Sequence, residues 1–327
     1  MERIPIEEFR RVADQYDEVV RATPGIDRFC SVSDWLLAAY AAWGGRTPTR
    51  ILRGRHGFAA FQDHTDPDGT RVMLGLDSMW GFTCPLVGAD PVALADEFAR
   101  YLEGCPSTWQ VVLISGLRRD SLMFLSLTQA LGKRFVLRIG SPMRRWLASL
   151  EGGEAAFFAR RSSKLRETLR AAQRKAEAEG IEMQRLRVGS TEQAEKLFHR
   201  LLEVEARSWK GSEATGLLID DMHAFYHEIT LRWAARGALR AIFARCRGED
   251  VGYILGGTFD RIYRGFQFSF DRRFKRFSLG NLMQREQIRE LCAEGFETYD
   301  LGIDMAYKRR WAESVLDTFT LAVIGVA

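Results

Sequence analysis

The first half of the chain alternates between helical and extended patterns of apolar residues. Apolar positions recur at helical spacing over residues 4–22, and a Ser-Val-Ser-Asp cap at 31–34 precedes a second predicted helix at 35–43. The same spacing predicts helices at 91–102 and 121–131. Strands are predicted at 49–52, 56–62, 71–76, 109–114 and 134–139, with an Asp-Pro-Asp-Gly turn before the third. This half is therefore predicted to be a mixed α/β domain.

The second half has more helix at its start and more strand towards its end. Helical patterns are predicted at 143–179, 190–207, 220–236, 281–294 and 305–312, and strands at 181–188, 239–246, 251–259, 262–270, 296–301 and 318–324. The strands predicted at 239–246, 251–259 and 262–270 are joined by short polar turns. Connections this short require antiparallel neighbours. No Gly/Ser linker or repeat separates the halves, so the boundary rests on pattern alone. We expect domains at 1–142 and 143–327.

Composition places the chain among ordinary globular proteins. Its 327 residues are 46% hydrophobic and 28% charged, which excludes disordered and collagen-like classes. The longest apolar run, at 35–45, is about half of the roughly 20 residues that cross a bilayer, and the N-terminus lacks a signal-peptide pattern. Five well-separated cysteines form no CxxC pair, which argues against a disulfide framework or a thiolate zinc site. A cytoplasmic location is the resulting expectation.

Basic residues are concentrated in one predicted helix. Lys and Arg exceed the acids by only 47 to 43, yet residues 160–175 hold seven bases and one acid, Glu167. Apolar residues recur on the same helix at the spacing of one packed face: Leu165, Leu169, Ala172 and Ala176. A non-catalytic nucleic-acid-binding protein is an alternative, but no aromatic residue interleaves these bases and no helix-turn-helix, zinc or RNP pattern accompanies them. His223 and His227 are a weak metal hint without a third ligand, so no metal is expected.

A second basic concentration precedes the helix predicted at 281–294. Arg272, Arg273, Lys275 and Arg276 come just before Ser278-Leu279-Gly280-Asn281. The first N–H groups of a helix lack internal acceptors and its N-terminus is positive, so small residues there suit a pyrophosphate. An ordinary solvated loop with a helix cap is the alternative.

The order of elements and several segments together resemble a known family. The segments are FFARRSSKLRETLRAAQRKAEAEG, EARSWKG with GLLIDDMHAFY, GFQFSFDRRFKRFSLGNLMQREQI and YDLGIDMAYKRRW. Over residues 143–327 the chain resembles the GNAT superfamily, and within it the Fem-like and CelD-like N-acyltransferases. Residues 1–142 fit more loosely, through FCSVSDWLLAAYAAWGG, as a degenerate first copy. The implied fold is α/β, with two GNAT-like domains whose mixed central sheets are flanked by helices.

The resemblance implies acyl-CoA as the donor and assigns residues to it. The pyrophosphate would lie on the loop and helix start formed by Arg276, Phe277, Ser278, Leu279, Gly280 and Asn281, and pantetheine along the strand at 262–270, with Phe268 and Phe270. From strand alternation we expect the phenylalanines 266, 268 and 270 in the core, and Tyr263, Gly265, Gln267 and Ser269 lining the cleft. A half-buried strand with one wet face is the alternative.

Acyl transfer to an amine needs a deprotonated nucleophile, a donor for the oxyanion and a proton for the departing thiolate. An alkyl ammonium titrates near ~10.4, so a carboxylate or a water chain must take its proton. Glu205 and Asp304 are the candidates, with Glu205 as a helix-surface acid the alternative. The resemblance assigns Lys308 to the oxyanion and Tyr307 to the thiolate, although a solvated basic face would also explain residues 308–310. A buried Asp300 would have to be paired, and we interpret it as structural.

The acceptor side is less defined. Trp209 and Lys210 could wall an acceptor pocket together with Gln267 and Ser269, or Trp209 could be a packing anchor at a helix end. The predicted function is transfer of an acyl group from acyl-CoA to an amine of a small molecule, sugar or peptide. Two alternatives are a Fem-type aminoacyl-tRNA-dependent peptidyltransferase and an N-acyltransferase that uses an acyl carrier protein. In either, the basic helix at 160–175 would bind the tRNA or the acidic carrier protein. The chain lacks the long inserted helical arm of peptidoglycan-directed Fem proteins, which disfavours the former.

Overall fold

Two structural units divide the chain close to the predicted position. The computed structural model describes residues 1–77, 80–212 and 216–325. The first unit comprises Met1–Arg144 and a C-terminal segment that begins at Asp317, and the second comprises Arg145–Leu316. The sequence-based range 143–327 therefore needs correction at its C-terminal end, because the last strand returns to the first unit.

Strands and helices are interspersed along the described residues. The strands are β1 (Glu2–Ile4), β2 (Thr49–Arg53), β3 (Phe58–Thr65), β4 (Arg71–Gly75), β5 (Leu86–Val87), β6 (Val111–Leu117), β7 (Val136–Ile139), β8 (Met143–Ser149), β9 (Ile181–Leu186), β10 (Leu239–Cys246), β11 (Glu249–Phe259), β12 (Ile262–Phe270), β13 (Thr298–Ile303) and β14 (Ser314–Ile324). The helices are α1 (Ile6–Arg11), α2 (Ala13–Ala22), α3 (Arg28–Ser31), α4 (Ser33–Trp43), α5 (Pro91–Gly104), α6 (Leu122–Gly132), α7 (Gly153–Ala159), α8 (Ser163–Ala178), α9 (Thr191–Ala206), α10 (Trp209–Ser212), α11 (Asp220–Ala235) and α12 (Leu279–Ala293). Short 3₁₀ turns lie at Pro106–Thr108, Gly216–Leu218, Arg272–Phe277 and Ala306–Arg310.

The first unit is built on one mixed sheet. Its strand order is β1-β2-β3-β4-β6-β14, with β5 on β3 and β7 on β14. Strands β1 to β4 pair antiparallel, β4 and β6 pair parallel, and β14 pairs antiparallel with β6. Helices α5 and α6 contribute Phe98, Leu102 and Leu127 to the core on this sheet.

The second unit repeats this plan. Its strand order is β9-β10-β11-β12-β13-β8, in which β9 to β12 pair antiparallel, β12 and β13 pair parallel, and β8 pairs antiparallel with β13. In each unit, four consecutive antiparallel strands precede a helix and then a strand parallel to the fourth, and in the first unit the two-residue strand β5 comes before that helix. The repeated order is the fold-level basis for two GNAT-like domains.

Helix α8 forms where the sequence predicts it. The Ser162 side chain accepts a hydrogen bond from the Leu165 N–H at 3.2 Å, which closes the start of the helix. The four apolar residues at helical spacing, Leu165, Leu169, Ala172 and Ala176, are buried, which confirms the predicted packed face. Their contacts place α8 over the cores that also contain Leu279 and Leu291 of α12.

The helix predicted at 143–179 is wrong over its first third. Residues Met143–Ser149 form strand β8, whose pairing with β13 runs from Ser149↔Thr298 to Arg145↔Ile303. Two consecutive glycines with positive φ follow, Gly152 as the N-cap of α7 and Gly153 as its first residue. The extended conformation depends on a partner strand about 150 residues away in sequence, which local periodicity does not reveal.

Candidate functional site

The parallel strands β12 and β13 separate in the middle of the second sheet. Their register covers three pairs, from Ile262↔Thr298 to Arg264↔Asp300. Within the described residues no further pair joins them, although β12 continues to Phe270 and β13 to Ile303. Beyond Arg264 the backbone of β12 is therefore not paired with β13 in these residues, although the Phe268 carbonyl accepts a hydrogen bond from Lys210. An extended ligand could hydrogen-bond there as an additional strand does.

A bulge at Phe266 changes which way β12 presents its side chains. Leu255 pairs with Gln267 but Gly256 pairs with Gly265, so Phe266 is the extra residue. The Phe266 ring packs on Tyr226 of α11 at 4.6 Å between centroids, whereas Phe268 and Phe270 pack on the core beside α12. The predicted separation into a core face and a cleft face is therefore wrong for Phe266 and for Tyr263, which lies in the core, whereas Phe268 and Phe270 pack on the core as predicted.

Burial of the same strand corrects the prediction further. Tyr263 and Ser269, which were expected to line the cleft, are buried, and the three phenylalanines are only half-buried. The Ser269 hydroxyl has no hydrogen-bond partner among the described residues. Simple alternation fails here because the bulge shifts the alternation of side chains by one residue.

The basic loop leads into α12 through a left-handed residue. Asp271 accepts the Arg273 N–H at 2.9 Å and starts the 3₁₀ turn Arg272–Phe277. Ser278 follows with φ 54° and ψ 41°, and its side chain makes no capping bond to α12. The first N–H groups of α12 therefore lack the usual side-chain acceptor and point out of the positive end of the helix.

Gly280 allows the start of α12 to approach β12 closely. A Cβ atom at Gly280 would lie 3.0 Å from the Phe268 ring. Of the six loop residues assigned to the donor, Phe277 and Leu279 are buried in the core and could contribute only backbone groups. The Arg276 side chain is 73% exposed and pairs with Glu179 at 3.2 Å, and Asn281 accepts a hydrogen bond from Arg310 at 2.8 Å.

The 3₁₀ turn Ala306–Arg310 spans the gap between the two separated strands. The Tyr307 ring packs edge-on against Phe268 of β12, with 5.7 Å between centroids. The Lys308 ammonium donates to the Ile303 carbonyl of β13 at 2.9 Å. A Cβ atom at Gly302 would lie 3.7 Å from Lys308 Nζ and 3.9 Å from the Gly265 carbonyl oxygen. The turn thus brings Tyr307 and Lys308 to the point where β12 and β13 part.

A buried charge network lies beneath Lys308. Asp300 Oδ2 accepts hydrogen bonds from Arg145 at 3.1 Å and Arg264 at 2.8 Å, and its Oδ1 accepts the Gly302 N–H at 2.7 Å. Asp300 is 3% exposed and paired, which confirms its structural interpretation. Through Gly302 it fixes the turn whose next carbonyl, that of Ile303, binds Lys308. Arg145 was missed because it falls in the segment wrongly predicted as helix.

Burial shifts the pKa values of both residues of the turn. Desolvation lowers the pKa of Lys308 to about 8, with Asp300 opposing and Arg264 adding to the fall. Lys308 is 8% exposed, so the alternative of a solvated basic face is wrong for this residue, while Arg309 and Arg310 are exposed. Desolvation raises the pKa of Tyr307 to about 12, so its hydroxyl keeps its proton at neutral pH.

The two candidate carboxylates differ in exposure. Asp304 is half-buried, accepts the Trp146 indole N–H at 2.6 Å and lies 3.6 Å from Arg309. Glu205 is fully buried at the end of α9, so the surface-acid alternative is wrong. It accepts the Tyr253 hydroxyl at 3.0 Å and lies 3.7 Å from Lys210 Nζ.

Lys210 connects this buried acid to β12. Its ammonium donates to the Gln267 side chain and to the Phe268 carbonyl, the latter at 2.9 Å. Gln267 in turn donates to the Tyr226 hydroxyl at 2.6 Å. Desolvation lowers the pKa of Lys210, and the neighbouring Glu205 carboxylate opposes that fall. Tyr226 and Tyr253, which complete the cluster, have no sequence signal beyond being tyrosines in amphipathic elements.

The remaining acceptor candidate, Trp209, is 46% exposed. Residues 213–215, which follow α10, lie outside the described residues. Phe268 touches both groups of side chains, because Lys210 Nζ lies 5.9 Å from its ring centroid and Tyr307 packs on its edge. Strand β12 therefore carries the loop, the turn and the Lys210 cluster along one segment.

Three of the seven bases at 160–175 serve the fold. Arg160 and Arg161 pair with Glu313, and Arg166 donates to the Phe158 and Ala159 carbonyls at the end of α7. The side chains of the others are exposed and have no hydrogen-bond or ion-pair partner among the described residues: Lys164, Arg170, Arg174 and Lys175. The basic surface of α8 is thus smaller than the sequence predicts.

The histidine pair at 223 and 227 lies on α11. His227 pairs with Glu195 of α9 at 2.8 Å, and no group of three or more metal-ligating side chains is found in the described part of the chain. No helix in those residues has the length and apolar character to span a membrane.

Comparison with known proteins agrees with this architecture. Residues 163–309 match the family model described as an acetyltransferase (GNAT) domain, from the start of α8 into the turn that carries Lys308. Similar solved structures include FemX, with 12% identity, 98% of this chain and 97% of that chain covered and a TM-score of 0.66. A conserved protein of unknown function from Bacteroides thetaiotaomicron has 10% identity, coverages of 99% and 98% and a TM-score of 0.63. L-PGS from Bacillus licheniformis has 12% identity, coverages of 96% and 92% and a TM-score of 0.59.

These similarities are structural, since no curated protein matches the chain in sequence. At such identities the solved structures establish the fold. The chain therefore contains a GNAT domain and has the duplicated GNAT fold of the Fem-like proteins, which confirms the family resemblance. The GNAT domain supports an acyltransferase activity.

Proposed function

We propose that the protein transfers an acyl group from acyl-CoA to an amine of a small molecule, sugar or peptide. The observation that carries this proposal is the turn Ala306–Arg310, which holds Tyr307 against β12 and Lys308 against the end of β13 where the two strands part. A thioester bound along β12 would present its carbonyl at this point.

The donor has a binding path on one strand. Its diphosphate would accept hydrogen bonds from the first N–H groups of α12, which no side chain caps, while Arg276 adds positive charge nearby. Its pantetheine amides would pair with the backbone of β12 beyond Arg264. Phe268 would contact this arm, whereas Phe270 lies in the core and would act through its backbone.

The chemistry requires a balanced transfer of bonds and protons. The acceptor nitrogen attacks the thioester carbonyl, the new C–N bond forms, and the C–S bond breaks with the electron pair leaving on sulfur. The Lys308 ammonium would stabilise the intermediate oxyanion, because it is held in a poorly hydrated site. The Tyr307 hydroxyl, protonated at neutral pH, would give its proton to the thiolate.

Two carboxylates could take the proton from the acceptor amine. Asp304 is close to the turn and accessible, and Glu205 is deeper, beside Lys210 and Tyr253. Trp209, Lys210, Gln267 and Ser269 would then border the acceptor, with Ser269 reached only after local rearrangement because it is buried. Asp304→Asn and Glu205→Gln, measured separately at saturating donor, distinguish the two acids by which one lowers kcat.

A second candidate function uses an aminoacyl-tRNA or an acyl carrier protein as the donor. The exposed cations of α8 favour it, because Lys164, Arg170, Arg174 and Lys175 have no side-chain partners among the described residues and both macromolecules are acidic. Binding of this kind would weaken steeply as salt rises.

Ligand-induced thermal stabilisation distinguishes these donors. We expect acetyl-CoA or a longer acyl-CoA to raise Tm in a concentration-dependent manner. RNA tested at two salt concentrations and an acyl carrier protein are the competing ligands. Stabilisation by RNA or by the carrier protein, with none by any acyl-CoA, would contradict the proposed donor.

A further inference from the structure

A cavity of about 310 Å³ lies between α8 and the loop that precedes α12. Glu167, Thr168 and Lys175 line it from the helix, together with two alanines, and Arg276 and Ser278 line it from the loop. It adjoins the start of α12 but takes none of its described lining from β12, β13 or the turn that carries Lys308. Its volume is at the low end of the roughly 300–1,000 Å³ typical of ligand sites, the size of a single nucleoside.

Hydrogen-bond donors converge on this cavity from two elements. Lys175 is exposed and has no ion-pair partner among the described residues. In the part of the chain that the structure describes, Arg276 forms one ion pair, with Glu179 at 3.2 Å on the surface. Such a pair is weak enough to be exchanged for a better anion. Ser278 is left-handed and does not cap α12, so its hydroxyl is not engaged there. Two cations and a hydroxyl are a suitable set for a phosphate monoester.

The position of Ser278 relates this cavity to the donor. Ser278 lines the cavity and also immediately precedes Leu279, the first residue of α12, where the donor's diphosphate would bind. In coenzyme A the ribose carries the diphosphate on its 5′ carbon and a phosphate on its 3′ carbon. The 3′-phosphate is thus separated by one ribose from the diphosphate, which would bind at the start of α12.

We infer that this cavity binds the 3′-phosphorylated ribose of the acyl-CoA donor, with Lys175 and Arg276 on the phosphate. The inference rests on the proposed function. Glu167 supplies the one carboxylate of the lining, which would accept a hydrogen bond from the ribose hydroxyl or the adenine amine. Of the four exposed bases of α8 that have no partner among the described residues, Lys175 would then bind the nucleotide end of the donor.

The test compares CoA with dephospho-CoA, which lacks only the 3′-phosphate, by isothermal titration of the intact protein. We expect CoA to bind about 10-fold more tightly, as charge-assisted hydrogen bonds to one phosphate would give. In the variant Lys175→Ala, this ratio should fall towards 1, because CoA binds more weakly while dephospho-CoA, which lacks the 3′-phosphate, changes little. The matched control Lys164→Ala removes a charge from the same helix outside the cavity and should leave the ratio unchanged.

Each other outcome has a distinct meaning. Equal binding of CoA and dephospho-CoA by the unaltered protein would overturn the inference and leave the proposed donor standing. An equally large fall in the ratio of CoA to dephospho-CoA affinity in Lys164→Ala would also overturn the inference. The overall positive charge of α8, rather than contacts in the cavity, would then explain the preference for CoA. Failure of both ligands to bind, with RNA binding instead, would overturn the inference and the proposed function together.

Discussion

The two units share a strand order but treat the corresponding helix start in opposite ways. In the first unit, α5 connects the parallel strands β4 and β6 and begins at Pro91, with Asp90 accepting the Val92 and Ala93 N–H groups at 3.1 Å each. In the second unit, α12 connects β12 and β13 and begins after Ser278 without a side-chain cap. A carboxylate of the chain already occupies the position where α12 leaves room for an external anion.

The separation of the parallel strands shows the same contrast. Strands β4 and β6 also pair over three residues, ending at Leu74↔Leu113. There, however, the Gly116 N–H donates to the Gly81 carbonyl at 3.2 Å, and a Cβ at Gly116 would lie 2.3 Å from the Phe82 carbonyl oxygen. The chain's own backbone thus fills the corresponding position in the first unit, whereas Lys308 lies at that position in the second. The two units thus share a scaffold, whereas in the described residues the opening between the parallel strands is filled by backbone in the first unit and bordered by Lys308 in the second.

The largest effect should come from removing the cation at the opening. Lys308→Ala is expected to lower kcat by roughly 100- to 1,000-fold, the cost of one oxyanion donor, with little change in CoA affinity. Single-turnover kinetics and titration calorimetry measure the two quantities. Arg309→Ala, the exposed neighbour in the same turn, is the control. Equal losses of turnover and affinity would mean that Lys308 only binds the donor.

Making the second unit resemble the first should weaken donor binding. Ser278→Asp introduces at the start of α12 the carboxylate that Asp90 provides to α5, and Asp tolerates the left-handed conformation. We expect CoA to bind roughly 10-fold more weakly, because the new charge repels the diphosphate and occupies its N–H donors. Ser278→Asn keeps the shape without the charge and serves as the matched control. Unchanged affinity in the aspartate variant would place the diphosphate elsewhere.

The pH profile should reveal the ammonium of Lys308. Since its pKa is lowered to about 8, the charged form prevails below that pH and is lost as pH rises through it. We expect kcat/KM for the donor, measured at saturating acceptor, to fall above about pH 8. Well above that pH the fall should approach about tenfold per pH unit. Lys308→Arg, whose guanidinium stays protonated, should remove this limb while retaining part of the activity. A limb that persists in the arginine variant would belong to another group.

The smallest effect is expected in the first unit. Asp90→Ala removes the cap of α5 and should lower the free energy of unfolding by about 1 kcal/mol, measured by denaturant titration. Turnover and CoA affinity should not change, because this helix start does not accept the donor. A loss of CoA affinity without loss of stability would show that the first unit also binds donor.

Local sequence patterns predicted much of the fold and part of the candidate site. The buried face of α8 and the pairing of Asp300 follow from spacing and from the cost of burying a lone charge. Strand β8, the bulge at Phe266 and the burial of Glu205 could not be predicted in this way. Each depends on a residue distant in sequence: a partner strand, a shifted register, or the hydroxyl of Tyr253 meeting a carboxylate. Contacts between residues that are distant in sequence can be identified only from the three-dimensional structure.

The return of β14 to the first unit has a consequence for biosynthesis. Strands β1 to β4 and β6 are translated early, but their antiparallel neighbour β14 emerges only after the entire second unit has been made. Domains ordinarily fold in the order of their synthesis. Here strands β8 to β13 of the second unit are all synthesised before β14, so the edge of β6 stays unpaired while the second unit is made. The first unit thus completes its sheet only after the second unit has been synthesised, and premature termination would leave the edge of β6 exposed to aggregation.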